Sequence, residues 1–166
     1  RELSDNFIDD ANKLEKKIYL ISGKEFNIGS PKQLGEILFN EMKITGGKKT
    51  KSGTYSTDSS ILEDLSLKGH DIAKLVLEWR EVSKLRSTYT DALQQQIDPN
   101  TKRVHTSYAS ATTLTGRLSS NDPNLQNIPI RTNKGKKIRN AFIAEKDHKL
   151  VSLDYSQIEL RLAAEI

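Results

Sequence analysis

Ile72, Leu75, Val76, Trp79, Val82, Tyr89 and Leu93 fall on one side of a helical wheel, and charges of both signs fall on the other. The pattern predicts one helix from about Asp71 to Gln95. At about 1.5 Å per residue it spans about 37 Å, long enough to link two subdomains rather than sit inside one. Asp98-Pro99-Asn100 is a turn sequence, and the helical period stops there. The chain therefore divides into a helical part, residues 1–96, and a second part of different character, residues 97–166.

Other helices are expected in the first part. Leu3, Phe7, Ala11, Leu14, Ile18 and Ile21 recur at spacings of three and four, with Gly23 as terminator. Ser30-Pro31-Lys32-Gln33 reads as a helix start, with a capping Ser, Pro at the first helical position and Gln closing the box. Leu34, Ile37, Leu38 and Met42 form the stripe behind it. Lys43 to Tyr55, rich in Gly, Ser, Thr and Lys, predicts an exposed, mobile tip loop. Its Lys43, Lys48, Lys49 and Lys51 suit phosphate contact without base reading, although ordinary solubilising lysines make the same pattern. Thr57 or Ser59 is expected to cap a short helix reaching Leu65 or Leu67 and ended by Gly69.

Strands belong to the second part. Arg103 to Tyr108 alternates like one, and Ile138 to Ala144 has the composition of another. Leu150, Val151 and Leu153 predict a buried strand, leading into a partly buried helix that carries Ile158, Leu160, Leu162 and Ala163. The expected class is α+β, a helical subdomain followed by an incomplete portion with a partial antiparallel sheet.

Charge is unevenly placed. Between Pro99 and Asn140 eight basic residues face one acid, Asp122, giving +7 inside a chain whose net charge is +4. A basic middle in an otherwise mildly acidic chain points to a polyanion-binding face. Thr113 to Pro129 lies within it. Gly116 there permits close backbone approach, Arg117 offers a rigid donor fork, and Asn124, Gln126 and Asn127 offer amides. Such groups suit the acceptors that every base pair presents in the minor groove. Asp154 would sit at the end of a strand and the mouth of a helix, a place that holds a hard cation against phosphates. Asp154 with Gln157 also matches a plain capping pair, and taken alone that is the simpler reading. The chain has no cysteine, which fits a reducing interior, and no apolar run long enough for a membrane span or signal peptide. A soluble, cytoplasmic monomer is expected.

TGRLSS (Thr115–Ser120), DPNLQNIP (Asp122–Pro129) and DYSQIELR (Asp154–Arg161) together resemble family A DNA polymerases. STYTDAL (Ser87–Leu93) and RVHTSY (Arg103–Tyr108) are similar to that family too. The resemblance implies that residues 1–96 correspond to the thumb, with its basic tip near 43–55, and residues 97–166 to the first part of the palm. It implies that Asp154 holds both catalytic Mg²⁺ ions, that the Tyr155 carbonyl meets the nucleotide's metal, and that Glu159 excludes a 2′-hydroxyl. Arg117 would contact the minor groove at the primer terminus, with Asn124, Gln126 and Asn127 near template and primer. Arg80, Lys84 and Arg131 would lie beside the duplex, with Lys48, Lys49 and Lys51 on the tip. Primer–template DNA and deoxynucleoside triphosphates are the implied partners.

The family's second catalytic carboxylate and nucleotide-binding helix are not evident in these residues. With Arg1 close to a periodic pattern and Ile166 inside one, the chain reads as an excised piece, inactive alone. A catalytically inert duplex-binding module is the alternative.

Overall fold

The structure is a computed structural model that describes residues 1–51 and 53–165. Helix α1 (Glu2–Ser22) buries Phe7, Ala11, Leu14 and Ile18, one stripe at helical spacing. It ends where Gly23 turns left-handed (φ 75°) and donates to the Tyr19 carbonyl at 2.9 Å. Ile21, the outermost member of the expected stripe, stays exposed.

Ser30 caps α2 (Pro31–Gly35) by accepting from the Gln33 amide. The Gln33 side chain does not return to Ser30, as a closed box requires, but accepts from the Asn27 amide at 2.8 Å. The helix widens into a π-turn over Glu36–Glu41, which buries Ile37, Leu38 and Phe39. The tip loop that follows is exposed at Lys43, Lys48, Lys49 and Lys51, yet it is organised. Lys49 bridges Tyr55, and the Tyr55 ring lies 4.8 Å from that of Phe39. Helix α3 (Ser59–Leu67) follows Asp58 with no side-chain cap, against the expectation for Thr57 or Ser59. Thr57 is instead buried as an acceptor for Arg80.

The long helix is present as α4 (Asp71–Leu85), a π-turn over Arg86–Asp91, and α5 (Ala92–Gln95). It serves two cores. Ile72, Ala73 and Val76 pack with Ile18, Ile28, Leu34, Leu38, Leu62 and Leu65. Val82, Leu85 and Tyr89 pack with Phe7, Ala11, Leu14 and Ile138. Trp79 touches both clusters and its indole N–H donates to Glu15 of α1 at 2.9 Å. The π-turn is tied to α1 through Asp91, which accepts from Ser4 at 2.5 Å and from Arg86 at 2.8 Å.

Beyond the Asp98 turn, β1 (Ser107–Ala109) and β2 (Ser119–Asn121) form one antiparallel hairpin, with Tyr108 opposite Ser120. This is the partial sheet of an α+β chain. Three expectations are corrected. Ile138 to Ala144 is not a strand, because Thr132 caps a helix, α6 (Asn133–Asn140), by accepting from the Gly135 amide at 3.1 Å. Gly135 and Ile138 are its buried residues, so one apolar side chain carries no visible period. Residues 150–153 form no buried strand either: Val151 is 77% and Leu153 92% exposed. A strand needs a ladder partner and a packed face, and among the described residues nothing supplies them. Helix α7 (Ile158–Glu165) is likewise exposed throughout, Ile158, Leu160 and Leu162 included, contrary to the partial burial expected.

Candidate functional site

Arg117 stands on the loop between β1 and β2. Gly116 there takes φ 71°, a conformation that costs glycine little, and its amide donates to Thr113 at 3.2 Å. The Thr113 hydroxyl returns to the Arg117 carbonyl at 2.6 Å. The backbone is thus tied down while the guanidinium is exposed and meets no acceptor among the described residues. Its whole donor fork faces outward.

The amide segment is folded against this hairpin. Gln126 donates through its Nε2 to the Leu118 carbonyl at 2.7 Å, next to Arg117. Asn124 accepts from the Gln126 amide at 3.0 Å, so its oxygen closes a local turn. From the other side the Tyr89 hydroxyl, on the π-turn, donates to the Asn127 carbonyl. Burial pushes the Tyr89 phenol above its usual pKa, which keeps it a donor. The Asn127 side chain is exposed and engages no described residue.

An open groove of about 690 Å³ runs between α4 and this segment. Lys84, Gln126, Asn127 and Arg131 line it, four residues singled out in the sequence, and Arg139 of α6 joins them. Glu81 is the acid at its wall. Lys84, Arg131 and Arg139 are exposed and make no ion pair among the described residues. Unpaired cations around bound amides can neutralise phosphates while the amides probe base edges. Arg139 was not singled out because the helix that places it has no readable stripe; the +7 stretch was the available signal.

Other expected contacts lie elsewhere. Arg80 is turned inward, donating to the Thr57 carbonyl at 2.5 Å and the Thr57 hydroxyl at 3.1 Å. Burial lowers its pKa, with Asp58 opposing that shift. It ties α4 to the start of α3. Lys48, Lys49 and Lys51 remain on the tip, with the Lys49 ammonium 5.2 Å from the centre of the Tyr55 ring.

Asp154, Tyr155 and Glu159 are exposed, and none is joined to the groove by a hydrogen bond or ion pair among the described residues. Helix α7 begins at Ile158, four residues beyond Asp154, and no hydrogen bond joins the Asp154 carboxylate to it among the described residues, against the capping reading. The Asp154 carboxylate and the Tyr155 carbonyl are hard oxygen donors, the kind magnesium takes while retaining water. They fit such an ion in chemistry, though no cluster of three or more His, Asp or Glu side chains is found among the described residues.

The family model described as DNA polymerase family A matches residues 1–166. DNA polymerase I of Rhizobium leguminosarum is 57% identical over 99% of the chain. DNA polymerase I of Pseudomonas aeruginosa is 49% identical over 100% of it. The chain spans only 16% and 18% of those two proteins. Among solved structures, the POL domain of Pol1 from M. smegmatis, in complex with DNA primer-template and dNTP, matches with a TM-score of 0.86 and 40% identity. That match covers 98% of this chain and 29% of the other. No helix among the described residues is long and apolar enough to cross a membrane.

Proposed function

The chain belongs to DNA polymerase family A, and on that premise we propose that it grips primer–template DNA and supplies one catalytic carboxylate of a template-directed polymerase. The groove carries this reading. It sets Lys84, Arg131 and Arg139 around Gln126 and Asn127, and Gln126 is bonded to the residue beside Arg117. Cations there hold phosphates in register, while Arg117 and the amides donate to minor-groove acceptors common to all base pairs. The grip is therefore independent of sequence, as copying any template demands. The lysine tip adds phosphate contact along the duplex.

Asp154 and the Tyr155 carbonyl would hold magnesium in the complete enzyme, where the metal would supply activation of the primer 3′-hydroxyl and charge neutralisation at the leaving pyrophosphate. Glu159, in the first turn of α7, takes the family role of excluding a 2′-hydroxyl and so selects deoxynucleotides. Residues 1–96 act as a thumb and 97–166 as the first part of a palm, in a cytoplasmic monomer.

One carboxylate cannot fix two octahedral shells. The isolated 166-residue chain is therefore expected to bind duplex and incorporate nothing, and measurable templated extension by it would contradict this. Binding to primer–template across a salt series tests the grip. Each phosphate neutralised contributes a slope of about −0.9 in log K against log salt. A slope of several units is expected, and a flat response overturns the reading.

One observation favours the alternative of an inert duplex-binding module: residues 150–165, Asp154 among them, are exposed throughout while the groove is already formed. The two readings separate on whether Asp154 matters to extension in the longer protein.

A further inference from the structure

Ser120, at the middle of β2, is fully buried, and its hydroxyl lies at the centre of a small polar knot. It accepts from the Leu125 amide at 3.1 Å and lies 2.7 Å from the Thr106 hydroxyl. Thr106 Oγ1 is in turn 2.7 Å from the Pro123 carbonyl oxygen. Two longer contacts compete, Ser120 to Pro123 at 3.1 Å and Thr106 to the Asn121 carbonyl at 3.0 Å. Two hydroxyls carry only two protons, so not every contact is made at once.

The shortest set is self-consistent. Leu125 N–H donates to Ser120, Ser120 donates to Thr106, and Thr106 donates to the Pro123 carbonyl. Each hydroxyl accepts once and donates once, an arrangement in which successive bonds polarise one another. The relay starts and ends on residues that flank Asn124, so it clamps the head of the amide segment onto the hairpin carrying Arg117.

We propose that Thr106 and Ser120 are positioning residues whose hydroxyl relay sets Asn124, Gln126 and Asn127 in register with Arg117 for DNA. The proposal rests on the polymerase reading above and adds to it where the register comes from. Neither hydroxyl reaches the groove; both act through the segment they clamp.

Ser120→Ala empties a fully buried polar site, so the decisive variant is Thr106→Val. It keeps the shape of a half-buried side chain and removes the relay's middle link. In the full-length protein that carries this segment, Thr106→Val raises the Kd for primer–template on the order of tenfold, and Thr106→Ser restores it. In an Asn124→Ala/Gln126→Ala/Asn127→Ala background the same substitution has no further effect, because the groups it positions are gone. Wild-type affinity in Thr106→Val overturns the proposal. So does an equal loss in both backgrounds, which marks a merely structural role. If the unmutated protein shows no salt-dependent binding, the polymerase reading fails before any variant is compared.

Discussion

Arg117 concentrates the proposed interface chemistry in one side chain. Its backbone is pinned by Thr113, while its five guanidinium donors meet no acceptor among the described residues. In the longer protein, Arg117→Ala is expected to weaken primer–template binding about ten- to hundredfold, the worth of a charged hydrogen bond or two. Arg117→Lys should recover little, since an ammonium cannot reproduce the planar fork. Equal Kd values for all three proteins would remove Arg117 from the interface. Asp91 makes a separate prediction about stability. The Ser4 hydroxyl and then the Arg86 guanidinium hold its carboxyl below the usual value, against an opposing desolvation. A depressed folded pKa contributes stability above about pH 4 that is lost as pH falls through the folded value. Asp91→Asn should therefore flatten the fall in urea midpoint between about pH 5 and pH 2. An unchanged acid limb would show that the Ser4–Asp91–Arg86 link contributes nothing.

At the scale of elements, α6 supports the groove through close packing. A Cβ on Gly135 would lie 2.8 Å from the Pro129 Cβ and 3.0 Å from the Pro129 carbonyl oxygen. Pro129 is backbone-fixed and lines the groove with Ile128 and Ile130. Gly135→Ala should cost about 1–3 kcal/mol in chemical denaturation, by overpacking, and weaken duplex binding as well. Full stability would mean that α6 shifts freely. This contact also marks where sequence reasoning stops. Helices α1, α2 and α4 were legible because their buried residues repeat at helical spacing and Ser30 or Gly23 punctuates them. Helix α6 was not, since a glycine and one isoleucine do its packing. The segment 150–153 misled in the opposite sense: its largely apolar composition says what can be buried, not which neighbour buries it. Arg80 shows a third limit, because a cation's sequence position does not reveal that it bonds the Thr57 carbonyl. Motif and charge together single out Arg117, Gln126, Asn127, Lys84 and Arg131 as candidates, and only the fold shows four of them around one groove.

For the whole molecule, the long helix holds two cores in fixed relation, with Trp79 where they meet. One core anchors the lysine tip through Phe39 and Tyr55; the other anchors the groove through Tyr89 and Ile138. On the proposed reading the chain is a duplex grip joined to one exposed carboxylate, Asp154, within a family whose members extend well beyond this segment. Grip and chemistry are thereby separable. The direct test is Asp154→Asn in the full-length protein, with primer–template Kd and single-turnover deoxynucleotide incorporation measured in magnesium on the same preparation. A Kd within about twofold of wild type is expected, since an exposed carboxylate outside the groove makes little difference to duplex affinity, with incorporation reduced by several orders of magnitude. Incorporation at the wild-type rate would contradict the proposed reading.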